Sequence, residues 1–200
     1  MHRDERYHVV AVGLHWAIAV LVAATIGLAW AFADLHGEAK RGLEDLHQSI
    51  GILILVLTFA RIGWRVANPP PPLPSTMRAW EVALARTAHA GFYVLLLVLP
   101  LTGWIAASTS SHLAIRPITL FGVLPWPAIG GFSGLPSSQM KAVHHAVEDV
   151  HAWLAYGMYV LIGLHLLGVV KHLAIDGGGM RGILPDRLRP TVGRSTRAVP

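Results

Sequence analysis

Four stretches of this 200-residue chain are apolar on nearly every face and long enough to cross a lipid bilayer. A transmembrane helix needs about 20 consecutive, mostly apolar residues, and only helices or closed barrels satisfy their backbone groups within lipid. The four stretches cover approximately residues 9–33, 46–67, 84–107 and 147–173. The sequence therefore predicts an all-α, integral membrane four-helix bundle over residues 1–185, followed by a basic, flexible tail over residues 186–200.

The composition agrees with lipid contact and excludes several classes of protein. Charged residues make up 14% of the chain and hydrophobic residues 54%, whereas a soluble domain has about 25% charged residues. The absence of cysteine excludes disulfides, Cys-ligated zinc and Cys-ligated iron–sulfur clusters. A pI near 10.1 would suit nucleic-acid binding, but the basic residues flank the apolar stretches, so we expect no nucleic-acid partner.

Lysine and arginine are divided unevenly between the two ends of the predicted bundle. Twelve of the sixteen lie before the first helix, in and around the second connection, or after the fourth helix. The other four are in or next to the first and third connections: Lys40, Arg41, Arg116 and Lys141. Because positive charge accumulates on the cytoplasmic side, both termini are predicted to be cytoplasmic. The four outward cations could attract an anion to that face.

The histidines are the residues most indicative of function, because ionisable side chains within lipid spans are costly and usually functional. His151 and His165 are both in the fourth helix, 14 residues apart. At about 100° and 1.5 Å per residue, they share one face and lie about 21 Å apart along the axis. That separation is too long for one metal site and fits two sites at two levels of the membrane.

Each of these histidines has a partner at its own predicted depth. His15 lies at the level of His165, and His47 at the level of His151. Two facing imidazoles at one depth are typical of axial haem ligands, and bundles bind cofactors between facing helices. A proton relay in a transporter is the alternative interpretation. His144 and His145 are rival ligands, although they are predicted to lie at or beyond the membrane interface.

One corner of the predicted bundle combines several polar groups at the cytoplasmic interface. His172 follows His165 by seven residues and therefore shares its face, and Lys171 is adjacent. His89, on the third helix, lies near the same membrane side. These three residues are candidate contacts for a quinone or, for His89, a haem propionate; snorkelling, solvation or a helix–helix contact would explain them equally simply.

At these residues the chain resembles the bacterial cytochrome b561 family, which is related to the b-type subunits of nickel–iron hydrogenases. The resemblance covers nearly the whole chain. The matching motifs are LHW (Leu14–Trp16), LHQSIGI (Leu46–Ile52), AHAGFYVLLLVLPLTGW (Ala88–Trp104), HAWLAYGMYVLIGLHLLGVVKH (His151–His172) and ID-x-G-x-x-R-x-x-LP (Ile175–Pro185).

The resemblance implies a multi-pass protein of the bacterial inner membrane with two b haems, each held by two histidines. Carried onto this chain, the ligands are His15, His47, His151 and His165. The implied function is electron transfer across the bilayer to or from a quinone such as ubiquinone, and some family members oxidise superoxide. The expected partners are membrane lipid, the quinone pool and a periplasmic or membrane redox protein. The alternative implied function is a cytochrome anchor subunit of a partner dehydrogenase or hydrogenase.

Overall fold

The computed structural model describes residues 8–69, 77–132 and 134–175, with side chains described up to Lys171. In these ranges the chain forms four long helices and one two-stranded antiparallel sheet. The elements are α1 Val9–Ala33, α2 Gly37–Ala67, α3 Ala79–Ser108, β1 Thr119–Leu120, β2 Leu124–Pro125 and α4 Ser137–Ile175. All four helices are long and apolar enough to cross a membrane, which confirms the predicted all-α, four-helix membrane fold.

Three helices begin earlier than the apolar pattern predicts. α1 has the predicted bounds, but α2, α3 and α4 start before residues 46, 84 and 147. The additional turns include charged or polar residues, and in α2 they are held by pairs one turn apart, such as Arg41 with Glu38 at 2.7 Å. Apolar composition therefore marks where a helix enters lipid, whereas the helix itself begins in the aqueous layer.

The helices pack in sequence order. α1 packs against α2, α2 against α3, and α3 against α4. In the described ranges, however, no Cα atom of α4 comes within 8 Å of α1 or α2. Directly packed helices have axes 8–10 Å apart, so α4 stands away from two of its three neighbours. The space between α4 and the α1–α2 pair is therefore wider than the space between α4 and α3.

Contacts at the helix ends show which termini lie together. His8 stacks near Trp64 with ring centroids 4.9 Å apart, and Lys171 forms an ion pair with Glu81. The start of α1, the end of α2, the start of α3 and the end of α4 therefore share one end of the bundle, which we call the basic end. The opposite end carries the β1–β2 hairpin, and we call it the hairpin end.

Side-chain packing within the bundle is concentrated around α2. Ile18 of α1 forms a buried cluster with Ile50 and Ile54 of α2. Elsewhere the spans present large apolar side chains outward, and Trp30 and Leu167 are each 67% exposed. In a membrane protein such side chains face lipid, so their exposure carries no solvation penalty.

The connection between α3 and α4 covers the hairpin end. Its backbone is fixed to α2 because Ser49 Oγ accepts a hydrogen bond from the Phe121 amide at 2.9 Å. It is fixed to α3 because Ser108 Oγ accepts one from the Ile129 amide at 2.9 Å and Trp104 Nε1 donates to the Pro127 carbonyl at 2.8 Å. The hairpin is thereby attached to the two central helices.

Candidate functional site

The structure brings the predicted histidines together in pairs at two levels. His15 of α1 and His165 of α4 have ring centroids 6.4 Å apart. Nearer the hairpin end, His47 of α2 and His151 of α4 have ring centroids 6.3 Å apart. All four rings are partly buried. Since α4 supplies one member of each pair, the two pairs are separated along it by about 21 Å.

These ring separations match two imidazoles bound to opposite sides of one metal ion. A metal–imidazole bond is about 2.0–2.1 Å, and a ring nitrogen lies about 1.1 Å from its ring centre, so opposed ligands have centroids about 6.2–6.4 Å apart. The interplanar angles of 64° and 67° are compatible, because each ring can rotate freely about the common axis. Among the described residues, no group of three or more His, Asp or Glu could hold a metal ion. Each pair therefore offers two ligands, the number that a bis-ligated haem requires.

Two rings, those of His15 and His89, compete as the partner of His165, and the spacing of the helices favours His15. His89 of α3 also lies 6.4 Å from His165. However, α3 packs closely on α4: a Cβ added at Gly91 would lie 3.0 Å from Leu161 Cδ1. A macrocycle between opposed ligands needs the wider spacing found between α1 and α4, so the geometry favours His15 as the partner of His165 and places His89 beside the pair.

Hydrogen bonds orient both rings at the hairpin end. His47 Nδ1 lies 2.9 Å from the Thr25 carbonyl oxygen, to which it donates. His151 Nδ1 lies 2.9 Å from Thr102 Oγ1, whose own hydrogen is donated to the Leu99 carbonyl at 2.8 Å. Thr102 therefore accepts from His151. In both rings the proton is on Nδ1, which leaves the lone pair of Nε2 available for a metal.

Known proteins match this chain over most of its length. The family described as prokaryotic cytochrome b561 matches residues 6–185. Cytochrome b561 homolog 2 of Escherichia coli (strain K12) is 30% identical over 195 residues, covering 96% of this chain and 94% of that protein. The probable superoxide oxidase CybB of Yersinia pestis is 30% identical over 180 residues, covering 86% and 90%. Cytochrome b561 homolog 1 of E. coli is 29% identical over 177 residues, covering 84% and 89%.

The chain belongs to the prokaryotic cytochrome b561 family. It is accordingly a multi-pass bacterial membrane protein, a b-type cytochrome that binds haem b and takes part in electron transfer. The family resemblance predicted from the sequence motifs is confirmed.

The remaining polar residues of this cytochrome b561 at the basic end form their own contacts. Lys171 pairs with Glu81 and lies over the Trp80 ring, 5.5 Å from its centroid. The side chain of His172, another predicted contact residue, lies outside the described part of the chain. Arg61 donates from Nε to the Tyr93 hydroxyl at 3.3 Å.

The rival ligands His144 and His145 are engaged elsewhere. His144 Nδ1 donates to the Ala106 carbonyl at 2.9 Å, and its Nε2 lies 3.3 Å from a carboxylate oxygen of Glu148. His145 Nδ1 lies 3.3 Å from the other oxygen of Glu148. With both nitrogens of His144 occupied, the structure does not support it as an iron ligand.

The cations at the hairpin end are largely neutralised. A side-chain nitrogen of each of three cations lies close to a carboxylate oxygen: the distances are 2.8 Å for Arg116 and Asp45, 2.7 Å for Arg41 and Glu38, and 3.7 Å for Lys40 and Glu44. The attraction of this face for anions is therefore weaker than the number of lysines and arginines predicts.

Sequence reasoning missed the groups that orient the rings. Thr102 could have been noticed as a hydroxyl within an apolar span, since such groups usually form interhelical hydrogen bonds. The acceptor for His47 is a backbone carbonyl, for which the sequence carries no signal. The pairing of Arg61 with Tyr93 likewise depends on how α2 packs against α3.

Proposed function

We propose that this cytochrome b561 binds two b haems, one between His15 and His165 and one between His47 and His151. The observation that carries the proposal is the separation of 6.3–6.4 Å between the ring centroids of each pair. The spacing of α4 from α1 and α2 supports it, because each pair joins two helices whose Cα atoms stay more than 8 Å apart.

The chain's own residues orient the two hairpin-end ligands as neutral imidazoles. The Thr25 carbonyl and Thr102 Oγ1 hold His47 and His151 as Nδ1–H tautomers, with Nε2 available. A haem held between two of these histidines would supply one-electron chemistry and would have no open position for oxygen. The surrounding apolar spans exclude water from the ligands.

Two unpaired buried donors suit the carboxylates of a haem. Gln48 Nε2, adjacent to His47 in the chain, and Trp64 Nε1, near the basic end, are buried without hydrogen-bond partners among the described residues. Buried polar groups normally have partners, and propionate oxygens are acceptors of the required type. Arg61 and Arg65 add positive charge at the basic end.

The two sites at two levels support electron transfer across the bilayer. Their separation of about 21 Å along α4 occupies most of a hydrocarbon core about 30 Å thick. The bias of lysine and arginine assigns the basic end to the cytoplasm, and with it both termini, in a bacterial inner membrane.

We place quinone exchange at the basic end. An open, shallow cavity is lined there by Ile62, Arg65, Val66 and Tyr93, which combine apolar surface with donors for a quinone carbonyl. Lys171 would have to leave Glu81 to donate, so the cavity is the better supported position; His89 and His172 remain candidate contacts. Quinol-driven haem reduction should be slowed more by Arg65→Ala or Tyr93→Phe than by Lys171→Ala.

The donor at the hairpin end is proposed from a relative. The Yersinia pestis protein is named a probable superoxide oxidase, and we propose superoxide as a candidate reductant here. Reduction of the haems by a superoxide-generating system, abolished by superoxide dismutase, would support it. An anchor subunit for a dehydrogenase or hydrogenase is the alternative, and a stoichiometric protein partner on purification would favour that function.

A haem count on single variants tests the two-haem proposal. His165→Ala and His151→Ala should each retain one haem per chain, at the hairpin end and the basic end respectively. His89→Ala is the matched control and should retain two haems with an unchanged reduced-minus-oxidised spectrum. Two haems in either ligand variant would refute the assignment.

A further inference from the structure

Hydrogen bonds to the four rings are distributed unevenly between the two levels. At the hairpin end both rings have an acceptor for Nδ1: the Thr25 carbonyl for His47 and Thr102 Oγ1 for His151. At the basic end, neither His15 nor His165 has a hydrogen-bond partner within residues 8–69, 77–132 and 134–175. The two ligand pairs are therefore chemically different.

Charged side chains are also distributed unevenly. At the basic end, Arg61 and Arg65 of α2 both lie against Tyr93 of α3: Arg61 donates to its hydroxyl at 3.3 Å, and Arg65 Cζ is 5.9 Å from its ring centroid. At the hairpin end, Asp45 precedes His47 by two residues and is already paired with Arg116. Within the described residues, guanidinium groups without a carboxylate partner are therefore found at the basic end, whereas Arg116 at the hairpin end is paired.

The hydrogen bonds at the hairpin end and the positive charge at the basic end would both make the hairpin-end potential the lower of the two. A hydrogen bond donated from Nδ1–H makes the imidazole a more basic ligand, which stabilises the ferric iron and lowers its potential. A nearby guanidinium disfavours the more positive ferric iron and raises its potential. Since all four rings are partly buried, burial does not oppose this order.

We propose that Thr102, together with the Thr25 carbonyl, holds the hairpin-end haem at a lower potential than the basic-end haem. This rests on the proposed two-haem function and adds a direction to it. With both sites loaded, one electron would pass from the hairpin-end site to the basic-end site, oxidising the first and reducing the second by one electron, with no bond or proton involved. A one-electron reductant would act at the hairpin end and a quinone would be reduced at the basic end. Thr102 is a positioning residue, because it acts through His151.

Redox titration of the purified, haem-loaded protein tests this order. The wild type should show two b-type components of unequal potential. Thr102→Val, which keeps the shape but removes the acceptor, should shift the lower component upward by about 59 mV, equivalent to a tenfold change in the one-electron equilibrium. Thr102→Ser retains the hydroxyl and should leave both components in place. Arg61→Gln should lower only the higher component.

His47→Ala provides an independent assignment if Thr102→Val disturbs folding. It should remove the lower-potential component and leave the higher one. The proposal is overturned if the lower-potential component is still present in His47→Ala. It is also overturned if Thr102→Val shifts the higher-potential component, or if it shifts neither component. A wild-type protein with fewer than two haems would instead overturn the proposed function.

Discussion

Gly103 limits what can lie beside the hairpin-end ligand. A Cβ added there would be 3.5 Å from His151 Cε1 and 3.8 Å from its Nδ1. Alanine therefore makes an ordinary contact. In Gly103→Val, the γ carbons extend about 1.5 Å further and enter the contact distance of about 3.5–4.0 Å, so the ring has to move. Overpacking of this kind costs about 1–3 kcal/mol.

If that cost falls on the bound conformation of His151, haem affinity at the hairpin end decreases by about 5–150-fold, since 1.4 kcal/mol is a factor of ten. Haem content per chain and the rate of haem transfer to apomyoglobin would measure it. Gly103→Ala should behave as wild type. Gly63→Val, on an open face of α2, is the size-matched control. Unchanged haem transfer in Gly103→Val would refute the reasoning.

Three further substitutions test the packing around the sites. Gly91→Val should lower the free energy of unfolding by about 1–3 kcal/mol, because even a Cβ added at this position would lie 3.0 Å from Leu161 Cδ1. Thermal unfolding in detergent measures this cost, and the variant should retain two haems. Arg116→Ala should cost at most about 1 kcal/mol, since its ion pairs are exposed, and a loss of haem would contradict that prediction. Ser108→Ala leaves the Ile129 amide without its acceptor and should cost about 1–3 kcal/mol, seen as faster amide exchange in the α3–α4 connection; unchanged exchange would argue against that attachment.

The helical fold and its family were predictable because they depend on local composition and motifs. Four apolar stretches long enough for a bilayer leave helices as the simplest solution, and α1 has the predicted bounds. The residue arithmetic that placed His151 and His165 on one face depends only on helix geometry. The starts of α2, α3 and α4 were not predictable from apolar composition alone, because charged or polar residues interrupt the apolar pattern in their first turns.

Other features depend on how the helices pack. The sequence places His89 near the same membrane side as His15, so depth does not separate the two as partners of His165. The family resemblance implies His15, and helix spacing favours it. The acceptors on His47 and His151 required knowledge of which α1 carbonyl and which α3 hydroxyl approach them. Likewise, counting cations overlooked that Arg41 and Arg116 are paired with acids.

Low-temperature electron paramagnetic resonance and near-infrared magnetic circular dichroism of the oxidised protein, combined with an iron determination, test the central claim most directly. We expect two irons per chain, both low-spin ferric with two imidazole ligands. A single iron per chain, or a predominantly high-spin signal in the intact protein, would contradict it.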